Sequence, residues 1–429
     1  MRARLSILDL APIGRGRTAS DSFAASVALA KRAEELGYHR VWYAEHHNMP
    51  TIASSATSVL IAHIGAQTSA IRLGAGGIML PNHSPLTIAE QFGTLEAMYP
   101  GRIDLGLGRA PGSDQNTTYA LRRDPRDAEA FPRDVLELQA YLAGASRVPG
   151  VDAIPGKGSK VPLYILGSSL FGAQLAGAYG LPYAFASHFA PDALEDAIAA
   201  YRSEFKPSAQ LAEPYVIAGV NVTAADTTEA ARSQFQAVRR ARAASLFARR
   251  IGVSPAEITD EQAEELLASG AAVHVDQMLT YSAVGTPREV SDYLDGFLRK
   301  TGADELIVVH QAPGIENRLR SVTLLAEAMR EVPARSCGSV RDDEVLSERT
   351  RHFAATSALG PFTGRSPRSA CNPSARPSRR PRSSRSRGRP PRRHLPPGSS
   401  PGWSVTGRPT PQPQGGRPGR LGSPGSQTG

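Results

Sequence analysis

The sequence predicts an α/β fold: a (β/α)8 TIM barrel with an insertion before the eighth unit and a disordered basic tail at the C-terminus. Three observations predict it. Short β-type runs alternate with longer helical runs eight times. Several of the short runs are continuously apolar, as in YILG and LIVVH, which is how strands read when helices bury both faces. The connections between the runs are short, as in strand–helix units. An open doubly wound sheet would alternate in the same way, but eight units favour closure.

The elements follow in order. Residues 5–10 (LSILDL) are the first strand. The surrounding MRARLSILDLAPIG is too short in apolar residues, and too soon broken by Asp9, to read as a signal peptide. Residues 21–36 have apolar positions at helical spacing and stop at Gly37. A second strand with its exit occupies 39–47 (HRVWYAEHH), a helix 54–67 and a third strand 70–80. The helix at 84–98 begins with Ser84 as N-cap and Pro85 at the first helical position, and it stops at Tyr99, Pro100 and Gly101. Strand four is 102–108, followed by a long polar loop over 108–132 and a helix at 128–142. Strand five (161–167), a helix ending at Gly180, strand six (182–189) and a helix at 192–205 complete the sixth unit. Strand seven (214–224) leads into a long helix to about 250, and residues 253–281 read as an insertion of helical character. Strand eight (305–311) and a helix at 316–330 close the pattern.

Charge divides the chain at 333/334. Residues 1–333 carry 31 Lys and Arg against 36 Asp and Glu, whereas 334–429 carry 18 Arg and no Lys against four acids. The formal charge of +9 therefore belongs to the tail. Pro, Arg, Ser and Gly dominate that segment, which cannot bury enough apolar area to offset the entropy of ordering. Its aromatics are sparse (Phe353, Phe362 and Trp403) and not interleaved with the arginines, so no nucleic-acid partner is expected of it. Cys337 and Cys371 both lie in the tail, which leaves the body without a disulfide framework or a thiolate metal site. No run of about 18 apolar residues occurs, so no membrane span is expected and a cytoplasmic protein is the default.

In a barrel of this kind the chemistry sits at the C-terminal ends of the strands. Strand two is followed by Glu45, His46 and His47. Adjacent side chains on an extended segment point to opposite sides, so at most one of the two histidines faces the mouth. A general acid–base or cofactor-contacting histidine and a structural one both remain open there. No third ligand converges on the pair, and no metal is expected. Strand three holds Gly76 and Gly77, a pairing that signals either a bulge or the close approach of a ligand. Strand four ends in Gly108 and Arg109. A small residue lets a planar ring or a phosphate near the backbone, and Arg109 offers a permanently charged planar fork. The GLGRAPG run lacks the GxGxxG phase and is no dinucleotide fingerprint. After strand five, Ser168 and Ser169 open a helix that contains Gly172. Free amides and hydroxyls at a helix N-terminus suit a phosphate, with ordinary N-capping as the plain alternative. Ser187 and His188 follow strand six and are further candidates to face the mouth.

Residues 44–112 (from AEHHNMP to GRIDLGLGRAPG), 161–191 (VPLYILGSSLFGAQLAGAYGLPYAFASHFAP) and 284–294 (VGTPREVSDYL), in that order, resemble the bacterial-luciferase-like flavin-dependent monooxygenases. The resemblance covers 1–333 and none of the tail, and it looks closest to single-subunit-type relatives. It implies FMN as cofactor, delivered reduced by a separate NAD(P)H:flavin reductase. It implies a ring at the barrel mouth against a non-proline cis peptide matching Gly76–Gly77, and a phosphate site matching Arg109, Ser168 and Ser169 with Gly172. His46 matches the site histidine, which assists proton transfer or holds the peroxide. The reaction implied is that of reduced flavin with O2 at its C4a carbon, giving a C4a-peroxyflavin that meets a small organic substrate in a mouth kept free of water. Gly108 stands where luciferase has a cysteine near the flavin, a departure that argues against the aldehyde light reaction. The family habit implies a homodimer, and the insertion is expected to cover the mouth. A deazaflavin (F420)-dependent oxidoreductase and a non-catalytic flavin-binding protein are the alternatives.

Overall fold

Among the described residues, nine parallel strands form one sheet that closes on itself. They are β1 (Arg4–Asp9), β2 (Arg40–Tyr43), β3 (Arg72–Met79), β4 (Ile103–Gly108), β5 (Leu163–Gly167), β6 (Tyr183–Phe185), β7 (Val216–Ala224), β8 (Ser282–Gly285) and β9 (Glu305–His310). This computed structural model describes residues 3–110 and 114–331. The boundary expected at 333/334 and the basic tail lie outside those residues. Strands β1–β7 run in chain order, and β9 closes the barrel by pairing with β1 (Ile7↔Val308) on one side and β7 (Val220↔Val308) on the other. The expected eight-stranded barrel is thus present, with β8 as an additional short strand on the rim of β7.

Twelve α-helices are described: α1 (Ala19–Glu35), α2 (Thr57–Gly65), α3 (Pro85–Met98), α4 (Gln115–Ala120), α5 (Phe131–Ala143), α6 (Leu170–Tyr179), α7 (Leu194–Glu204), α8 (Thr228–Ile251), α9 (Asp260–Leu266), α10 (Ala272–Met278), α11 (Pro287–Thr301) and α12 (Ile315–Glu331). Their ends follow local chemistry. Thr18 and Asp21 form a reciprocal capping box at the start of α1. Ser84 accepts from the Thr87 amide to start α3, with Pro85 behind it, as the sequence predicts. Gly180 ends α6 at φ 63°, a left-handed conformation that favours glycine.

The core has two layers. A large cluster between sheet and helices includes Ile7, Leu73, Phe92, Ile165 and Val308. A smaller one lies inside the barrel and includes Leu8, Trp42, Tyr164, Ile217 and Ile307, with Trp42 and Tyr164 edge to face at 5.0 Å.

One assignment is corrected. The sequence reading makes the helix after β7 the seventh barrel helix and starts the insertion at 253. In the structure, that layer position, against α7 and α12, is held by α11. The chain returns to the rim first, because β8 pairs with the far end of β7 from Asn221↔Ser282 to Ala224↔Gly285, and α11 starts from there. Helix α8 belongs with α9 and α10. Its Val238 and Ala243 pack on Leu267, Val275 and Leu279 of the insertion. The insertion therefore begins where β7 ends.

Candidate functional site

The site is built from the C-terminal ends of five strands and the insertion above them. At the end of β2, Glu45 is buried and collects donors: His47 Nε2 at 2.8 Å, His83 Nε2 at 2.9 Å and Asn82 Nδ2 at 3.3 Å on one carboxylate oxygen, and the Met79 amide at 3.1 Å on the other. Burial alone would push this carboxyl up, but the bonds from His47 and His83 bring it down to about 2. The three groups Glu45, His47 and His83 lie within 4.8 Å of one another, so the fold supplies the third donor that the sequence spacing did not show. Both imidazole nitrogens that meet there are already engaged with the carboxylate.

His46 points elsewhere, as neighbouring residues on extended chain must. Its ring is half-buried, and its Nδ1 is buried without a partner among the described residues. Burial pulls the ring below its ordinary range, which keeps it neutral near pH 7 and available to accept or hold a proton.

On β3 the Gly76–Gly77 bond is cis, and the β3–β4 register shifts between Ala75 and Ile78. A Cβ on Gly76 would come within 2.9 Å of Leu8 and Trp42, and one on Gly77 within 2.8 Å of the Gly106 carbonyl oxygen. Neither position admits a side chain, and Gly76 stays partly exposed while Gly77 is buried. Gly108, buried at the end of β4, sits where a Cβ would press on Met79 Sδ at 2.9 Å. The exposed Arg109 lays its guanidinium over the Phe171 ring, 4.2 Å from the centroid. Phe171 lies in the first turn of α6, so the fold brings Arg109 to the helix start that holds Ser168 and Ser169. Ser169 is the N-cap residue, yet its side chain makes no capping bond, and both serines are exposed. The first-turn amides therefore face outward without a side-chain acceptor. Gly172 is buried in that turn, and a Cβ there would lie 3.4 Å from the Gly167 α-carbon and from the Tyr183 ring.

The two candidates after β6 separate. Ser187 is fully buried and donates to the Gly219 carbonyl at 2.5 Å, a structural role. His188 lies against β7 in the space that Gly219 leaves by lacking a side chain. Its Nδ1 has no partner among the described residues, and burial, then the charge of Arg242, brings the ring down to about 3. Arg242 and the Asn221 amide that donates to the His188 carbonyl at 2.7 Å are residues that sequence reasoning missed. Nothing in the local pattern around Arg242 sets it apart from the five other arginines of α8.

The insertion is pinned across the mouth. After β1, Arg15 bonds Asp260 at 3.2 Å and the Ile258 carbonyl at 2.5 Å, and Gln277 of α10 bonds Asp192, after β6, at 3.1 Å. Grooves at the other end of the barrel, along Arg4, Leu5, Gly37 and Tyr38, bring together no comparable set of unpaired groups.

A family model for luciferase-like monooxygenases matches residues 3–305. The chain belongs to the luciferase-like monooxygenase family. A luciferase-like monooxygenase of Escherichia coli (strain K12) is 49% identical over 328 residues, which is 76% of this chain and 97% of that protein. The crystal structure of apo-MsnO8 superposes with a TM-score of 0.67 at 35% identity and covers 77% of this chain and 100% of its own. More distant structures of the same fold include one in complex with FMN and an F420-dependent dehydrogenase. This luciferase-like monooxygenase is thus an oxidoreductase of a fold that takes a flavin or a deazaflavin. Among its described residues no helix is long and apolar enough to cross a membrane.

Proposed function

We propose that this enzyme binds reduced FMN across the barrel mouth and uses O2 to oxygenate a small organic substrate. The observation that carries the reading is the line of groups from Gly76 to Arg109 and the uncapped start of α6. It pairs a glycine-lined surface with a cation and free amides, which fits a flat ring attached to a phosphate. Arg109, Ser168, Ser169 and the Gly172 amide would hold the phosphate, while the backbone of Gly76, Gly77 and Gly108, bare of side chains, would lie along the ring. Reduced FMN, when bound, supplies the electrons that activate O2 at its C4a carbon. His46 takes or holds a proton at Nδ1, and the Glu45 cluster fixes the segment that carries it. The insertion, tied to Arg15 and Asp192, keeps water from the mouth. A separate NAD(P)H:flavin reductase delivers the reduced cofactor, the working unit is a homodimer, and the compartment is the cytoplasm.

The test is anaerobic titration with reduced FMN and, in parallel, with reduced F420, followed by admission of O2 in a stopped-flow spectrometer. Tight FMN binding and an oxygen-dependent absorbance transient, slowed or lost in His46→Ala, are expected. Preference for F420 with no reaction toward O2 would replace the reading by a deazaflavin oxidoreductase. FMN binding with turnover indifferent to His46→Ala would leave a flavin-binding protein.

A further inference from the structure

None of Glu45, His47 and His83 belongs to the line of groups from Gly76 to Arg109 that carries the flavin reading, yet the fold brings them together from two strand exits. His47 Nε2 and His83 Nε2 reach the same Glu45 oxygen at 2.8 and 2.9 Å, and the Asn82 side-chain amide reaches it at 3.3 Å. Three donors thus converge on an oxygen with two lone-pair sites. The other oxygen accepts from the Met79 amide at 3.1 Å. One ligand atom from each of Glu45, His47 and His83 lies within 4.8 Å of the others. The Glu45 side chain is 1% exposed, whereas those of His47 and His83 are 19% and 26% exposed. The carboxylate therefore closes the inner side of the cluster, and the imidazoles open it to solvent.

Two imidazole nitrogens and one carboxylate oxygen are the donor set of zinc and its first-row neighbours, whereas magnesium and calcium take oxygen ligands. A neutral imidazole that keeps its proton on Nδ1 presents Nε2 as a ligand, so an ion takes the place of the two protons that now face Glu45. Zinc bonds of about 2.0–2.2 Å at tetrahedral angles set donor atoms roughly 3.3–3.5 Å apart. The two rings need only swing outward by about half an ångström, toward the side where they are exposed. Asn82 and the Met79 amide stay as outer partners that orient the carboxylate, and water fills the fourth position. We propose that Glu45, His47 and His83 bind one divalent cation of the zinc type. The ion ties the exit of β2 to the residue before the N-cap of α3, and so fixes the segment that carries His46.

The experiment uses the full, untagged chain carrying Cys337→Ser and Cys371→Ser, so that no thiol takes the metal. Zn2+ and Mg2+ are titrated at neutral pH, zinc in competition with a chromogenic chelator. One equivalent of Zn2+ should bind with a Kd of about 10 µM or tighter, and Mg2+ should not compete. His47→Gln and His83→Gln, which keep an amide donor for Glu45, should each weaken zinc about tenfold or more, the least that substituting an outer partner costs. Zn2+ should raise the melting temperature of the cysteine-free parent and not that of His83→Gln. Co2+ on the parent should give the visible bands of a tetrahedral nitrogen–oxygen site, a readout that holds even where a variant fails to fold. Weaker zinc binding by the parent, competition by Mg2+, or unchanged zinc affinity in both glutamine variants overturns the proposal and leaves the cluster a hydrogen-bonded brace. Neither flavin nor turnover enters these measurements, so their outcome is independent of the FMN reading.

Discussion

At the N-terminal end of the barrel, Arg40 meets Asp104 at 2.7 Å, Glu305 at 2.9 Å and the Tyr164 hydroxyl at 2.8 Å. Both carboxylates are held again, Asp104 by Trp42 and Arg72, and Glu305 by Ser6 and Tyr215. Burial alone would pull Arg40 down, but Asp104 and Glu305 outweigh it and hold the cation above its usual range. At the C-terminal end, His46 Nδ1 and His188 Nδ1 are buried without a partner among the described residues. The same barrel contains both ends, so the difference is not one of fold. Around Arg40 the protein supplies carboxylate and hydroxyl partners from several strands, whereas the two imidazole nitrogens at the mouth have none among the described residues.

The comparison breaks most sharply at His46. His46→Gln should lower oxygen-dependent turnover by about 100- to 10,000-fold, the range of a positioned acid–base group, while chemical denaturation shifts by less than about 1 kcal/mol. A large stability loss with normal turnover would move His46 to the structural side. Arg40→Met at the opposite end should do the reverse. It strands two buried carboxylates and should cost about 3–5 kcal/mol in urea denaturation, with flavin affinity in the surviving folded fraction unchanged. Arg109→Ala should weaken FMN binding by about 1.5–3 kcal/mol, read by fluorescence titration, and unchanged affinity would remove it from the phosphate site.

The smallest effect concerns pH. His188 has a folded value of about 3 against an ordinary 6.5. Its contribution to stability is complete above 6.5 and is lost as pH falls toward 3, since the unfolded chain takes up the proton first. By pH 5 the loss should be about 1–2 kcal/mol, and His188→Gln should flatten that part of the stability profile. An unchanged slope would show that His188 does not stay neutral in the folded protein.

Much of the candidate site is legible because barrel chemistry sits in short segments after strands. Gly76, Gly77, Gly108, Arg109 and the serine-led start of α6 could each be read from a local pattern, and so could the capping of α3 by Ser84. The limits were equally physical. His83 joins Glu45 and His47 only because the exits of β2 and β3 converge, and spacing along the chain carries no such information. The four residues of β8 are too few to register as a strand, so the sequence points to α8 as a barrel helix although α11 fills that place.

The sequence by itself determined the periodicity, the order of strands and helices and the small residues at the rim, because each depends on neighbours a few positions apart. Tertiary structure alone decided which polar groups found partners. Arg40 opens β2 and Arg109 follows β4; one is enclosed by carboxylates from β4 and β9, and the other lies exposed over the Phe171 ring. Electrostatic pairing acts through space over a few ångströms, and only the closed barrel fixes those distances.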